Sequence, residues 1–108
     1  MKQFVKTDKA PKVVGPYSQA VICGDFIFCS GQIGIDPESK ELVTGIKNQT
    51  KQVFANLGEV LKSADSSFGN VVNVNVYLQS MNDYKEMNDI YATYFPKPYP
   101  TRAAVEVA

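Results

Sequence analysis

The chain has 108 residues, 44% hydrophobic and 20% charged, with eleven basic and eleven acidic side chains and no net charge. These totals fit one globular domain over residues 1–108 and speak against a dedicated nucleic-acid or membrane-surface protein, which carries a basic stripe. Histidine is absent, which removes Ser-His and Cys-His nucleophile pairs and the commonest zinc ligand.

The N-terminal segment Met1 to Lys6 lacks the apolar stretch of a signal peptide, and no apolar run approaches the ~20 residues of a membrane span, so a cytoplasmic protein is expected. Residues 8–16 read as a loop, with Ala10-Pro11 and Gly15-Pro16 as turn dipeptides. Gln19 to Cys23 and Phe26 to Ser30 are short β-prone runs, and Gly24-Asp25 between them suits a two-residue II′ or I′ hairpin turn. Cys23 and Cys29 fall in these neighbouring strands. Spacing leaves a disulfide open, and reduced thiols packed in the core are the expectation. Ser30-Gly31-Gln32-Ile33-Gly34 interrupts or extends the second strand, and its two glycines suit a bulge or an unusual φ.

From Thr44, a fair N-cap, the period becomes helical, with Ile46, Val53, Phe54, Leu57, Val60 and Leu61 on one face and Thr50 among them. Gly58 inside this helix costs about 1 kcal/mol against Ala, which a close packing contact normally offsets. Asp65 to Asn70 ends it. Val71 to Gln79 is the clearest strand. Val72, Val74, Val76 and Leu78 face one way; Asn73, Asn75, Tyr77 and Gln79 face the other, as on a wet face or a subunit interface. Ser80-Met81-Asn82-Asp83 resembles a capping box with Asp for Glu. Tyr84, Met87, Tyr91, Tyr94 and Phe95 form the next helical stripe, stopped by Pro96, Pro98 and Pro100. Thr101 to Ala108 alternates as a strand: Thr101, Ala103, Val105 and Val107 make the apolar, core-facing parity, and Arg102, Ala104 and Glu106 the other. Arg102 is the only arginine in the chain. Among small neighbours its guanidinium suits bidentate capture of a carboxylate; the pattern equally suits a solvated strand arginine. Two helices on one face of one mixed sheet make an α+β sandwich.

Four stretches together resemble the Rid family, the reactive intermediate deaminases also called the YjgF family. Gly15-Pro16-Tyr17-Ser18-Gln19-Ala20 is similar to its N-terminal signature and Ser30-Gly31-Gln32-Ile33 to its central loop. Asn82-Asp83-Tyr84, with Met87-Asn88, Tyr91 and Tyr94-Phe95, is similar to its second helix, and Pro100 to Ala108 to its arginine strand. The resemblance implies a chorismate-mutase-like, ferredoxin-like-related sandwich assembled as a homotrimer with clefts between subunits. It implies hydrolysis of 2-iminobutanoate, 2-iminopropanoate and their enamine tautomers to 2-keto acids and ammonia, without metal or organic cofactor. Ribonuclease activity, also attributed to family members, is opposed by the neutral charge and the missing histidines, so no nucleic-acid or membrane partner is expected.

On this resemblance the catalytic candidates are Arg102, Tyr17 and Ser30, and the substrate-binding candidates Arg102, Gly31, Tyr17 and Asn88. Arg102 would pin the substrate carboxylate, with the Gly31 N–H as a second donor. Tyr17 would hydrogen-bond substrate or water, unless it is a packed loop aromatic. Ser30 would offer a hydroxyl rather than a nucleophile, since no base accompanies it. Asn88 is expected to satisfy nearby backbone groups more than to contact substrate. Tyr91, Tyr94 and Phe95 are expected in packing, and Asn73, Asn75 and Tyr77 in trimer contact. The family continues into a further strand whose glutamate positions the hydrolytic water; this sequence ends at Ala108, so a domain without that strand, short by nature or missing a C-terminal piece, is expected. On the resemblance Glu106 is not that residue, since it aligns with the glutamate inside the arginine strand itself. At ~3.3 Å per residue it also lies more than ~12 Å along the strand from Arg102, too far to serve the same small substrate within one subunit. The alternative to a deaminase is a catalytically weak or inactive trimer that binds small carboxylates or a protein partner.

Overall fold

The computed structural model describes all of residues 1–108. Three short strands come first: β1 (Lys2–Val5), β2 (Ala20–Cys23) and β3 (Phe26–Cys29). They pair antiparallel in the order β1-β2-β3, with Val5 opposite Ala20 and Ala20 opposite Cys29. β1 carries no clear alternation and was not expected from the sequence. Gly24 alone of the two turn residues has positive φ, at 60°, the pattern of a II′ hairpin.

Helix α1 (Ile46–Ser63) follows, then β4 (Asn73–Leu78), helix α2 (Tyr84–Tyr94) and β5 (Thr101–Glu106). β4 and β5 pair in parallel because α2 is the crossover between them. The α+β class with two helices against one face holds. The expected single mixed sheet is instead two hydrogen-bonded pieces, one of three antiparallel strands and one of two parallel strands.

The apolar stripe of α1 bridges both pieces. Val60 packs with Val5, Ala10 and Ala20 beneath the three-stranded piece. Phe54 packs with Leu78, Met87, Tyr91 and Phe95 beneath β4 and α2. Aromatic rings dominate this second cluster: Tyr91 stacks on Phe95 with centroids 4.3 Å apart, and Phe54 on Tyr94 at 4.9 Å. Gly58 has the expected close neighbour, since a Cβ there would meet the Phe68 ring at 3.2 Å.

Helix starts differ from expectation. Gly45, at φ 88°, precedes α1 in place of a Thr44 cap, and no side chain caps that end. Before α2 a short 3₁₀ turn, Met81–Asp83, is capped by Ser80, whose oxygen accepts from Asn82 N–H at 3.1 Å. A second unpaired N–H of this turn is satisfied from across the fold. Glu106 on β5 accepts from Met81 N–H at 2.8 Å, which ties the last strand to the start of α2.

The two thiols are free and exposed rather than in the core. Cys23 sits on the face turned away from the helices, next to the hairpin turn, and Cys29 ends the edge strand β3. Their partners across the ladder are Phe26 and Ala20, so about 10 Å of strand separates them and they cannot bridge.

Two contacts fix the loop that follows β3 onto α1. Asn56, 1% exposed, donates to the carbonyls of Ile33 and Ile35 at 3.3 and 2.9 Å and accepts from Gln52. Gly34 lies so close that an added Cβ would be 2.9 Å from Gln49 Cα. Its role is close approach to the helix, not the bulge or unusual φ expected for it. Asn56→Ala leaves the Ile33 and Ile35 carbonyls without that donor and is expected to cost about 1–3 kcal/mol in urea unfolding. Gly34→Ala is expected to cost about 1–3 kcal/mol by overpacking. An unchanged midpoint in either variant contradicts the corresponding contact.

Candidate functional site

β5 presents its residues in the opposite sense to the expected one. Its register sets Arg102 beside Val74 and Ala104 beside Val76, and those valines face the helices. Arg102 and Ala104 therefore face inward, half-buried, while Val105 and Val107 are 45% and 44% exposed. A cation on the inner face is tolerable only if its donors are satisfied. Here α2 supplies the partners. Arg102 Nη1 donates to Asn88 Oδ1 at 2.7 Å, and Nη2 donates to the Tyr84 hydroxyl. The guanidinium carbon lies 4.7 Å from the Tyr91 ring centroid and 5.4 Å from that of Tyr84, both within cation–π range.

Asn88 thus serves the guanidinium rather than backbone groups. Tyr84 was read from the sequence only as part of an apolar stripe. The signal that marks it is position: Tyr84 and Asn88 are four apart on one helix, so both can reach one side chain crossing beneath. Two of the five guanidinium N–H groups are engaged, and three remain. The Tyr91 hydroxyl is buried without a partner. Burial raises the pKa of this phenol above its ordinary value, against an opposing pull from the Arg102 charge.

Tyr17, Ser30 and Gly31 form a second group around the end of β3. Buried Gln19 organises it: its amide oxygen accepts from Thr7 N–H at 2.7 Å, and its NH₂ donates to the carbonyls of Thr7 and Pro11. Ser30 N–H donates to the Gln19 carbonyl at 3.0 Å, and the Ser30 hydroxyl donates to the Ser18 carbonyl at 2.6 Å. The hydroxyl proton is thereby committed, and its lone pairs stay available. Tyr17 is half-exposed, with its hydroxyl accepting from Val14 N–H at 3.4 Å. Gly31 N–H makes no hydrogen bond within the chain and is exposed. Its φ lies outside the left-handed region and a Cβ there would meet nothing, so neither strain nor crowding explains this glycine.

Within one chain the two groups are not joined. Both polar partners of Arg102 lie on α2, and neither is Tyr17, Ser30 or Gly31. Hollows of about 600 and 570 Å³ lie along the outer surface of the helices, near Lys51 and Tyr94, and Arg102 lines neither. No helix is long and apolar enough to cross a membrane.

The family model described as Endoribonuclease L-PSP matches residues 7–108. A RutC family protein of Pyrococcus horikoshii is 50% identical over 109 residues, covering 100% of this chain and 86% of that protein. The 2-iminobutanoate/2-iminopropanoate deaminase of Mus musculus is 48% identical, covering 100% of this chain and 81% of the mouse protein. The crystal structure of RidA from the Antarctic bacterium Psychrobacter superposes with a TM-score of 0.95 at 45% identity, over 98% of this chain and 86% of that one. With the match spanning both the Tyr17–Gly31 group and the Arg102 clamp, the chain belongs to the Rid family of RidA/YjgF-like proteins.

Proposed function

We propose that the protein is a cytoplasmic 2-iminobutanoate/2-iminopropanoate deaminase, acting as a homotrimer with its sites between subunits. The observation that carries this reading is the sole arginine, held beneath the sheet by Tyr84 and Asn88 with three N–H groups to spare. The deaminase names of relatives such as the mouse protein supply the reaction.

In this reading Arg102 takes the substrate carboxylate, as a planar fork does best. The imine carbon is then fixed relative to an incoming water. Water adds to the iminium carbon, the C–N bond breaks, and 2-iminobutanoate in its iminium form plus water becomes 2-oxobutanoate plus ammonium. An iminium carbon is already electrophilic, so orientation accounts for most of the required acceleration. Ser30, whose proton is committed to Ser18, offers lone pairs to the substrate N–H or to water. The free Gly31 N–H is a second carboxylate donor, and the Tyr17 phenol a partner for substrate or water. These three groups make no hydrogen bond to Arg102 within one chain, and in this reading a neighbouring subunit completes the site.

Assembly has independent support. Only 14 of 108 residues are buried, a thin core for a chain of this size. On the sheet faces turned away from the helices, Phe4, Phe26, Phe28 and Tyr77 are 61–65% exposed. Exposure of several large aromatic side chains on these faces favours their being covered by another copy. The family description names a ribonuclease; zero histidines and zero net charge give RNA cleavage no support here.

Added to a threonine dehydratase with L-threonine, the protein is expected to accelerate 2-oxobutanoate release. Arg102→Ala is expected to lower kcat/KM at least about 100-fold, or about 2.7 kcal/mol. Assembled protein that gives no acceleration, yet is thermally stabilised by 2-oxobutanoate, is a binder rather than an enzyme. In analytical ultracentrifugation the expected mass is three times the 11.9 kDa chain. Val105→Asp on the open face should shift it toward monomer; a parent protein that sediments as a monomer contradicts the shared site.

A further inference from the structure

The pair of contacts on Arg102 has unequal chemistry. Asn88 Oδ1 holds Nη1 at 2.7 Å, which fixes one point of the guanidinium but leaves its plane free to swing about that point. The Tyr84 hydroxyl holds Nη2, the second terminal nitrogen, and two points fix the plane. A guanidinium has no acceptor, so the Tyr84 oxygen must be the acceptor and its own proton is left to donate elsewhere. The Tyr84 ring also lies against the cation, 5.4 Å from its carbon, as the Tyr91 ring does at 4.7 Å. A long side chain reaching from β5 loses rotamer freedom when it is ordered. Where that ordering is made before ligand arrives, binding does not bear it.

We propose that Tyr84 is a positioning residue: its hydroxyl fixes the plane of the Arg102 guanidinium so that the remaining N–H groups meet a 2-imino acid carboxylate in register. This rests on the reading of Arg102 as the carboxylate anchor. The ring alone would supply packing and the cation–π contact, so the hydroxyl is what adds orientation. Tyr84→Phe isolates it, because the ring is kept.

Arg102 is the only arginine, so its guanidinium nitrogens give one unambiguous set of nitrogen-15 NMR signals. In the assembled parent protein the two Nη positions should be resolved, and in Tyr84→Phe they should average. The Kd for 2-oxobutanoate and the KM for the imine should rise about five- to tenfold in Tyr84→Phe, an effect the size of one ordinary net hydrogen bond, since the bond to substrate itself is kept and only its orientation is lost. The kcat should stay within about twofold, since the anchor is made alike in ground and transition states. Averaged Nη signals in the parent would overturn the proposal. So would a Tyr84→Phe Kd within about twofold of the parent, given Arg102→Ala protein that no longer binds. If Arg102→Ala binds 2-oxobutanoate as the parent does, the anchor reading fails, while resolved Nη signals would still report the hold of Tyr84 on the arginine.

Discussion

A single positive charge on the inner face of β5 sets the terms for the surrounding structure. Left without partners, a half-buried guanidinium would be costly on this face. The second helix resolves this with two acceptors one turn apart and two aromatic rings, so the charge is held rather than hidden. The same helix is fixed at its start by Glu106, four residues further along the strand. β5 is therefore tied near both of its ends to the N-terminal half of α2 and the turn before it, through Arg102 at one and Glu106 at the other. The aromatic cluster of Phe54, Tyr91, Tyr94 and Phe95 then fixes α2 against α1.

The second group depends on a different kind of constraint. Residues 7–19 have almost no regular structure, yet Gln19 satisfies three backbone groups across that loop with one buried amide. Ser30 extends the tie to Ser18, and Asn56 ties the far side of the Gly31 segment to α1. A loop held this way can present Tyr17 and a free Gly31 N–H without a helix or strand beneath them. The chain thus carries an ordered cation on one element and ordered small donors on another. In the proposed homotrimer, association of copies through the exposed apolar side chains of the sheets brings the two together.

Much of this was legible in the sequence. The periods of Val71 to Gln79 and of the two helices were strong enough to set the element order, and Gly24-Asp25 gave its turn. The residues that resemble the Rid family spanned both halves of the site. β1 escaped because Lys2 to Val5 is short and lacks alternation. The sense of β5 was misread because alternation reveals two faces but not which is inward. There the apolar parity is outward, and the charged residue is inward because α2 offers it partners. Nothing in hydropathy announces that exchange. Glu106 as a helix cap, Asn56 as a loop tie and Tyr84 as a guanidinium acceptor escaped for one reason. Each acts across 18 residues or more of sequence, on a group that only the fold brings near.

The most direct test is a crystal structure of the assembled protein with 2-oxobutanoate bound. The carboxylate is expected on the Arg102 guanidinium at about 3 Å, with Tyr84 and Asn88 still on their nitrogens and groups of a neighbouring subunit closing the site. A carboxylate seated elsewhere, with the Arg102 fork untouched, would contradict the account.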